Sequence, residues 1–314
     1  MKIIYLTPET RLNAPSEVTV GFFDGFHQGH QHLVDTLISS ASANQREPIV
    51  VTFDQDPLHV VNPQREPRHL SSLPMRLKWF AQFGVSMCVV LPFTAEMAQL
   101  TAREFLVDIL QRQLSAKRLL LGYDNRFGRR TNESTNDFID FAQNHGVEVI
   151  ENEELLGPYG QLSSTTIRRL VADRQLTAAA EYLSRPHSIE GTVVHGVQEG
   201  RRMGYPTANI QLSDETLLLP PDGVYIVEVV IDELSPSFFG MMNIGHRPTF
   251  GKHEQTLEVH LLDFQGNLYG HGLEVMFHAF LREEQTFDSE AALAAQLKRD
   301  EESVRQYFAN TDLY

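Results

Sequence analysis

What most constrains the fold is a change of texture near residue 187. Before it, short β-branched runs alternate with amphipathic stretches; after it, strand-like runs follow one another with only turn signals between them. Alternating strands and helices build parallel βαβ units, whereas consecutive strands joined by turns build antiparallel sheets or barrels. The spacing predicts strands over 2–6, 18–23, 48–53, 86–92, 118–123 and 147–150, with helices over 29–43, 73–83, 101–114 and 134–145. The segment 163–185 reads as two short helices. Strands are then expected over 188–196, 223–231, 237–245, 257–264 and 272–281, and a last helix over 289–308. The expected fold is therefore α/β plus β: an N-terminal doubly wound parallel sheet and a C-terminal antiparallel β-barrel with a terminal helix. The Arg185-Pro186 step breaks the preceding helix. It sets the expected boundary, giving domains over 1–184 and 185–314.

A chain of 314 residues has room for both. Its formal net charge of −15 disfavours nucleic acid and anionic membrane surfaces as partners. A pocket for a small anion needs only local donors and is not opposed by that charge. A single cysteine, Cys88, excludes an intrachain disulfide and a multi-cysteine metal cluster. The start has no apolar signal core, and no segment approaches the ~18 apolar residues of a membrane span, so a cytoplasmic protein is expected. Self-association is left open.

Three stretches of the first half carry chemistry. In "GFFDGFHQGH", residues 21–30, a strand runs through Gly21 into a helix, presenting backbone amides and a helix N-terminus at the carboxyl end of a strand. His27 and His30 lie three apart on the first helical turn, where both imidazoles can donate to one phosphoryl group. The stretch matches neither a P-loop nor G-x-G-x-x-G. A metal site built on His27, His30 and His32, or plain surface histidines, are the competing readings. The second stretch, "LLLGYDNRFGRR", is a strand ending in a polar turn, a weak signal alone. The third, "LSSTTIRRL", puts Ser164, Thr165 and Arg168 on the first turn of a helix, as suits either a triphosphate or a simple cap with a solvated arginine.

The first stretch resembles the His-x-Gly-His signature of the nucleotidyltransferase superfamily, in the longer form characteristic of prokaryotic FAD synthetases. That resemblance implies a Rossmann-like adenylyltransferase domain. It implies phosphate contacts at Gly21, Phe23, Asp24 and Gly29, catalytic roles for His27, His30 and Arg168, ATP contacts at Ser164 and Thr165, and a flavin or nucleotide contact at Asp124. In the second half, "GVQEGRRMGYPTANI", "LPPDGVYIVEV", "MNIGHRPTFG", "LEVHLLDFQGNLYG" and "FLREEQTF" resemble the riboflavin kinase module in order and approximate spacing. Gly196, Gly200 and Gly204 then make a loop that wraps ATP phosphates. Thr207 and Asn209 offer neutral oxygen ligands to Mg²⁺, and Glu258 takes the role of general base. Strand alternation puts Glu258 and His260 on one face and Val259 and Leu261 on the other.

The resemblance implies a bifunctional riboflavin kinase and FMN adenylyltransferase, using ATP with Mg²⁺ and the substrates riboflavin and FMN. Three departures from the family pattern fall in the first domain: Gln55 and Asp56 where Pro and His are usual, Asn125 where phenylalanine is usual, and no glycine near Glu133. They motivate one alternative, a kinase with an impaired adenylyltransferase. A non-catalytic flavin-sensing binder is the other.

Overall fold

The computed structural model describes residues 1–64, 68–123, 128–129, 134–195, 204–232, 236–249 and 252–310. It divides into two compact units, Met1–Ser164 and Thr165–Tyr314.

The first unit is a six-stranded parallel sheet, β1 (Lys2–Tyr5), β2 (Ser16–Val20), β3 (Glu47–Phe53), β4 (Met87–Leu91), β5 (Ala116–Leu121) and β6 (Glu148–Glu151). Its spatial order is β1-β4-β3-β2-β5-β6. Chain order therefore reverses between β2 and β5, and in open sheets a ligand crevice opens at the carboxyl ends of the strands at such a point. On one face, Val18, Val20, Val51, Val89 and Leu119 pack on Phe105, Leu110 and Phe138. Helix α1 (Gln28–Ala43) buries Leu33, Val34, Leu37 and Ala41 against β2, β3 and β5.

Four further helical segments complete the layers. They are α2 (Pro57–Val61), α3 (Leu73–Gln82), α4 (Ala102–Glu104), which runs into a π-helical turn over Phe105–Gln111, and α5 (Thr135–Asn144). A two-stranded hairpin, β7 (Leu156–Gly157) with β8 (Gly160–Gln161), precedes the end of the unit.

The second unit, from Thr165, carries all but the first residue of α6 (Ser164–Ala172) and, three residues on, α7 (Leu176–Leu183). Ser184, with φ 60°, ends α7 in the left-handed region. Helix α7 packs on β9 and β14 of a closed barrel. The barrel is β9 (His187–Val194), β10 (Ala208–Leu212), β11 (Gly223–Ile231), β12 (Phe238–Thr249), β13 (Lys252–Leu261) and β14 (Gly272–Arg282), in the order β10-β13-β12-β11-β14-β9. Every pairing in it is antiparallel. Tyr225, Val227, Val229, Met242, Val259 and Phe277 are all buried. Helix α8 (Glu290–Asn310) covers one side, where Val304 and Phe308 pack on Val224, Ile226 and Met241.

The expected architecture is present; α2 and the β7–β8 hairpin lie where no element is expected, and other local differences are as follows. The strand expected over 18–23 stops at Val20 because Phe23, Gly25 and Phe26 have φ of 56°, 75° and 38°, which no extended strand accommodates. The helix expected over 101–114 is a capping box at Thr101 and Glu104 followed by π turns. Strand β10 was not expected, because "ANIQL" follows a glycine and proline-rich stretch and is only five residues long. Strands β12 and β13 are longer than expected, since pairing carries past Gly245 to Thr249 opposite Lys252.

Candidate functional site

The first candidate site sits where β2 ends. Gly21 N still donates to Val51 O, at 3.0 Å, and the chain then turns away. Aromatic packing holds the left-handed residues: Phe23 and Phe26 are each 2% exposed and meet the ring of Phe80 edge-on. Gly25, with φ 75°, has no side chain to oppose that conformation. The carboxylate of Asp24 is buried and accepts from Leu70 N, Ser71 N and Ser71 Oγ at 3.0–3.1 Å. Its side chain therefore anchors the loop, and what Asp24 can give an anion is its backbone.

His27 caps α1. Its Nδ1 accepts from His30 N at 3.4 Å, so in the neutral ring the proton sits on Nε2. The rings of His27 and His30 stack at 3.7 Å with an 18° interplanar angle, and His30 meets Phe23 edge-on. The helix N-terminus beside the stacked pair favours an anion there. Gly29 leaves space beside the His27 ring and Leu162 O. Ser164, the last residue of the first unit, donates through Oγ to Asp24 O at 2.9 Å. His32 is exposed and lies away from the pair's stacking. Among the described residues no group of three or more His, Cys, Asp or Glu is placed to hold a metal.

Sequence reasoning missed the residue that braces this loop from below. Arg76 of α3 is 1% exposed. It donates to Phe22 O at 2.6 Å, Thr52 Oγ1 at 2.7 Å and Phe53 O at 3.1 Å, and its guanidinium lies 4.2 Å from the Phe22 ring centroid. One planar fork thus joins the carboxyl ends of β2 and β3. The signal in sequence was faint: an arginine on an amphipathic helix usually points to water.

The departures at Gln55 and Asp56 have structural explanations. Gln55 Nε2 donates to Phe93 O at 2.8 Å, and Asp56 caps α2 by accepting from Leu58 N at 2.8 Å. Asp56 also lies 4.0 Å from His69 Nε2. Asp124, Asn125 and Glu133 lie outside the described residues, as do Gly196 and Gly200. Gly204 is described and has φ 84°. Thr165 is exposed and Arg168 half-buried on α6, whose Ile167, Leu170 and Val171 form its buried side.

The second candidate site is on the barrel. Thr207 Oγ1 donates to Glu258 Oε2 at 3.2 Å. Asn209, Glu258 and Asn243 are register partners across β10, β13 and β12, so the three side chains form one row on one face. A cavity of about 330 Å³ opens beside the row, lined by Thr207, Asn243, Glu258, His260, Phe287 and Leu297 among others. A second of about 620 Å³ is lined by Val193, Thr207, Ala208, Val259, Leu261 and Tyr269 among others, and His195 stacks on Tyr269 at 4.0 Å. Glu258 and His260 line the first cavity and Val259 and Leu261 the second, as alternation requires. Thr207 lines both. His260 Nδ1 lies 2.8 Å from Pro206 O, and burial together with Glu301 raises the Tyr205 phenol above its ordinary value, so it stays a donor to Glu301 Oε2.

A stacked histidine pair at a helix N-terminus beside a parallel sheet, and a barrel carboxylate beside neutral oxygen donors, are arrangements compatible with enzymes that transfer phosphoryl and nucleotidyl groups. Comparison narrows the class. Residues 9–166 match the FAD synthetase family and residues 183–308 the riboflavin kinase family. The bifunctional riboflavin kinase/FMN adenylyltransferase of Escherichia coli K12 is 36% identical over 304 residues, 95% of each chain. That of Listeria monocytogenes serovar 1/2a is 32% identical over 319 residues, 99% of this chain and 100% of its own. A solved structure described as a macrolide-efflux protein of Streptococcus pneumoniae is 31% identical and superposes with a TM-score of 0.88 over 97% of this chain and 99% of its own. The chain belongs to the bifunctional riboflavin kinase/FMN adenylyltransferase family.

Proposed function

We propose that the chain phosphorylates riboflavin to FMN on its barrel and adenylylates FMN to FAD on its parallel-sheet domain, using one ATP for each reaction. We set the functional boundary at 184/185, where α7 ends in the left-handed Ser184 and Arg185-Pro186 follows. The observation that carries the kinase reading is Thr207: it lines both cavities and hydrogen-bonds the carboxylate of Glu258. A carboxylate bonded to the residue that two cavities share is suited to a reaction between two substrates.

In the kinase reaction, the ribityl 5′-hydroxyl oxygen attacks the γ-phosphorus of ATP while its proton passes to Glu258. The new O–P bond forms as the bond from the γ-phosphorus to the leaving ADP breaks. Thr207, Asn209 and Glu258 supply hard oxygen donors, two of them neutral, a set that fits Mg²⁺ shared with phosphate oxygens. Thr207 and Asn209 would hold the ion, and its chemistry there is to neutralise phosphate charge. Gly196, Gly200 and Gly204 are assigned to the ATP phosphates on the resemblance.

In the adenylyl transfer, a phosphate oxygen of FMN attacks the α-phosphorus of a second ATP and pyrophosphate leaves. The Nε2–H of His27, His30 and the amides at the start of α1 stabilise charge on the transferring group. Gly21, Phe23, Asp24 and Gly29 contribute backbone, Ser164 and Thr165 hydroxyls, Arg168 a cation, and Asp124 a flavin contact. Gln55 and Asp56, occupied in holding Phe93 and α2, give no ground for an impaired domain. The use of ATP and a lone cysteine fit a cytoplasmic enzyme.

Incubation with riboflavin, ATP and Mg²⁺, with products resolved by chromatography, should show FMN rising first and FAD following. FMN without FAD would remove the adenylyltransferase from the account, and no product at all would leave a binder.

A further inference from the structure

The seam between β10 and β13 ends one residue short of Thr207. Strand β10 starts at Ala208, and its pairing with β13 sets Ala208 opposite Val259 and Asn209 opposite Glu258. Thr207, which donates to Glu258 Oε2 and lines both cavities, stands just outside that pairing. The residue before it is Pro206, which has no N–H to give a ladder. What holds this end of the seam includes a side chain, His260 of β13.

His260 is 9% exposed, and its Nδ1 lies 2.8 Å from Pro206 O. A carbonyl oxygen only accepts, so Nδ1 carries the proton and donates it. It does so in the neutral and the protonated ring alike, and the bond does not depend on titration. The Pro206 carbonyl and the Thr207 amide belong to one planar peptide unit. With the proline φ held at about −65° and the oxygen gripped by the imidazole, that plane has little freedom to turn, and the Cα of Thr207 is carried with it. The Tyr205 ring meets the imidazole edge-on at 5.2 Å, and its hydroxyl donates to Glu301 of α8. Glu258 and His260 stand two apart on β13 and line the same cavity. One strand face therefore holds the Thr207 segment twice: His260 binds the carbonyl that precedes it, and Glu258 receives its hydroxyl.

We propose that His260 is a positioning residue for the kinase reaction: through the Pro206 carbonyl it sets Thr207 where the hydroxyl meets Glu258 between the two cavities. The proposal rests on the reading of Thr207 and Glu258 as kinase residues. It requires a donor at Nδ1 and asks nothing of the imidazole as an acid or a base. Asparagine presents an N–H from the same branch of the side chain, and leucine has none.

The test uses the full chain, with kinase turnover read as FMN plus FAD formed from riboflavin, ATP and Mg²⁺. The change in riboflavin fluorescence on binding is a second readout, which reports a folded barrel without turnover. His260→Leu is expected to lower kinase kcat about ten-fold, the upper end of what one hydrogen bond supplies, with the Kd for riboflavin within about three-fold. His260→Asn is expected to recover to within about two- to three-fold of the parent chain. In a Thr207→Val background, His260→Leu should cost less than about two-fold more, because a residue that acts through the Thr207 hydroxyl has nothing left to place. A merely structural role would lower His260→Asn as far as His260→Leu, or would multiply with Thr207→Val. Either result, or an unchanged kcat in His260→Leu, would overturn the proposal. If His260→Leu fails to bind riboflavin, His260→Asn decides: a ten-fold loss of kcat in a variant that still binds riboflavin overturns the proposal, and near-parent turnover upholds it. Thr207→Val alone separates the two levels. If it retains full kinase activity the reading of Thr207 fails and the proposal with it, whereas an impaired Thr207→Val beside a fully active His260→Leu overturns the positioning role alone.

Discussion

Replacing Arg76 with leucine should disable one reaction and spare the other. The side chain is 1% exposed, and its hydrogen bonds include those to Phe22 O, Thr52 Oγ1 and Phe53 O. Bonds from a charged donor contribute about 1.5–3 kcal/mol each, a gross loss of roughly 5–9 kcal/mol. Removing the buried guanidinium also removes its desolvation penalty, several kcal/mol, so the net destabilisation expected is about 2–4 kcal/mol. For a unit of this size that is a fall of roughly 5–15 °C in the melting of the N-terminal unit, at about 2–4 °C per kcal/mol.

The larger effect is on chemistry. Phe22 directly precedes the left-handed Phe23, so loss of the clamp releases the loop that carries His27. A displacement of ~1 Å in such a loop costs on the order of 100-fold in rate. The assay is FAD formation from added FMN and ATP, run beside FMN formation from riboflavin on the same preparation, with differential scanning calorimetry for stability. Arg76→Lys should fall between, because an ammonium cannot reproduce the planar fork. A variant Arg76→Leu that forms FAD at the parent rate, or that loses both reactions equally while still folded, would refute the reasoning.

Other outcomes follow from single contacts. Glu228 lies 3.3 Å from His278 Nε2 and accepts from Ser237 Oγ, and these bonds hold its carboxyl below its ordinary value of 4.5. A depressed carboxyl contributes stability above pH 4.5 that is lost as pH falls through the folded value. The barrel of Glu228→Gln should therefore be less stable at neutral pH and lose less stability on acidification, as followed by circular dichroism. Asp300, 2% exposed, accepts from Arg282 Nε and Nη2 and from Gln296, joining α8 to β14. Asp300→Ala strands a partly buried cation and should destabilise the barrel by about 3–5 kcal/mol in urea titration. Burial pushes the Cys88 thiol up to about 12, so the native protein should resist thiol reagents at pH 8 and react only on unfolding.

How much of this was legible beforehand depended on the range of the interaction. Periodicity found the six parallel strands and most barrel strands, because each side chain's burial repeats along its own segment. It did not reveal that β2 lies between β3 and β5, since strand order is decided by contacts far apart in the chain. His27 and His30 stand out as a local pattern, three apart behind a strand, whereas Glu258 is picked out only by the resemblance of its segment. Arg76 was not legible, as it acts through partners far from it in the chain. Asp56 illustrates the converse: a departure from the family pattern in sequence is a helix cap in the fold. Asp24 likewise has its carboxylate committed to Leu70 and Ser71.

The division of two reactions between two units is tested most directly by crossing their site variants in one assay. Given riboflavin, ATP and Mg²⁺, His27→Ala with His30→Ala should accumulate FMN and make no FAD, while Glu258→Gln should make no FMN from riboflavin yet convert added FMN to FAD. If the folded double histidine variant still made FAD, or if either variant lost both reactions, the assignment of one reaction to each unit would be contradicted.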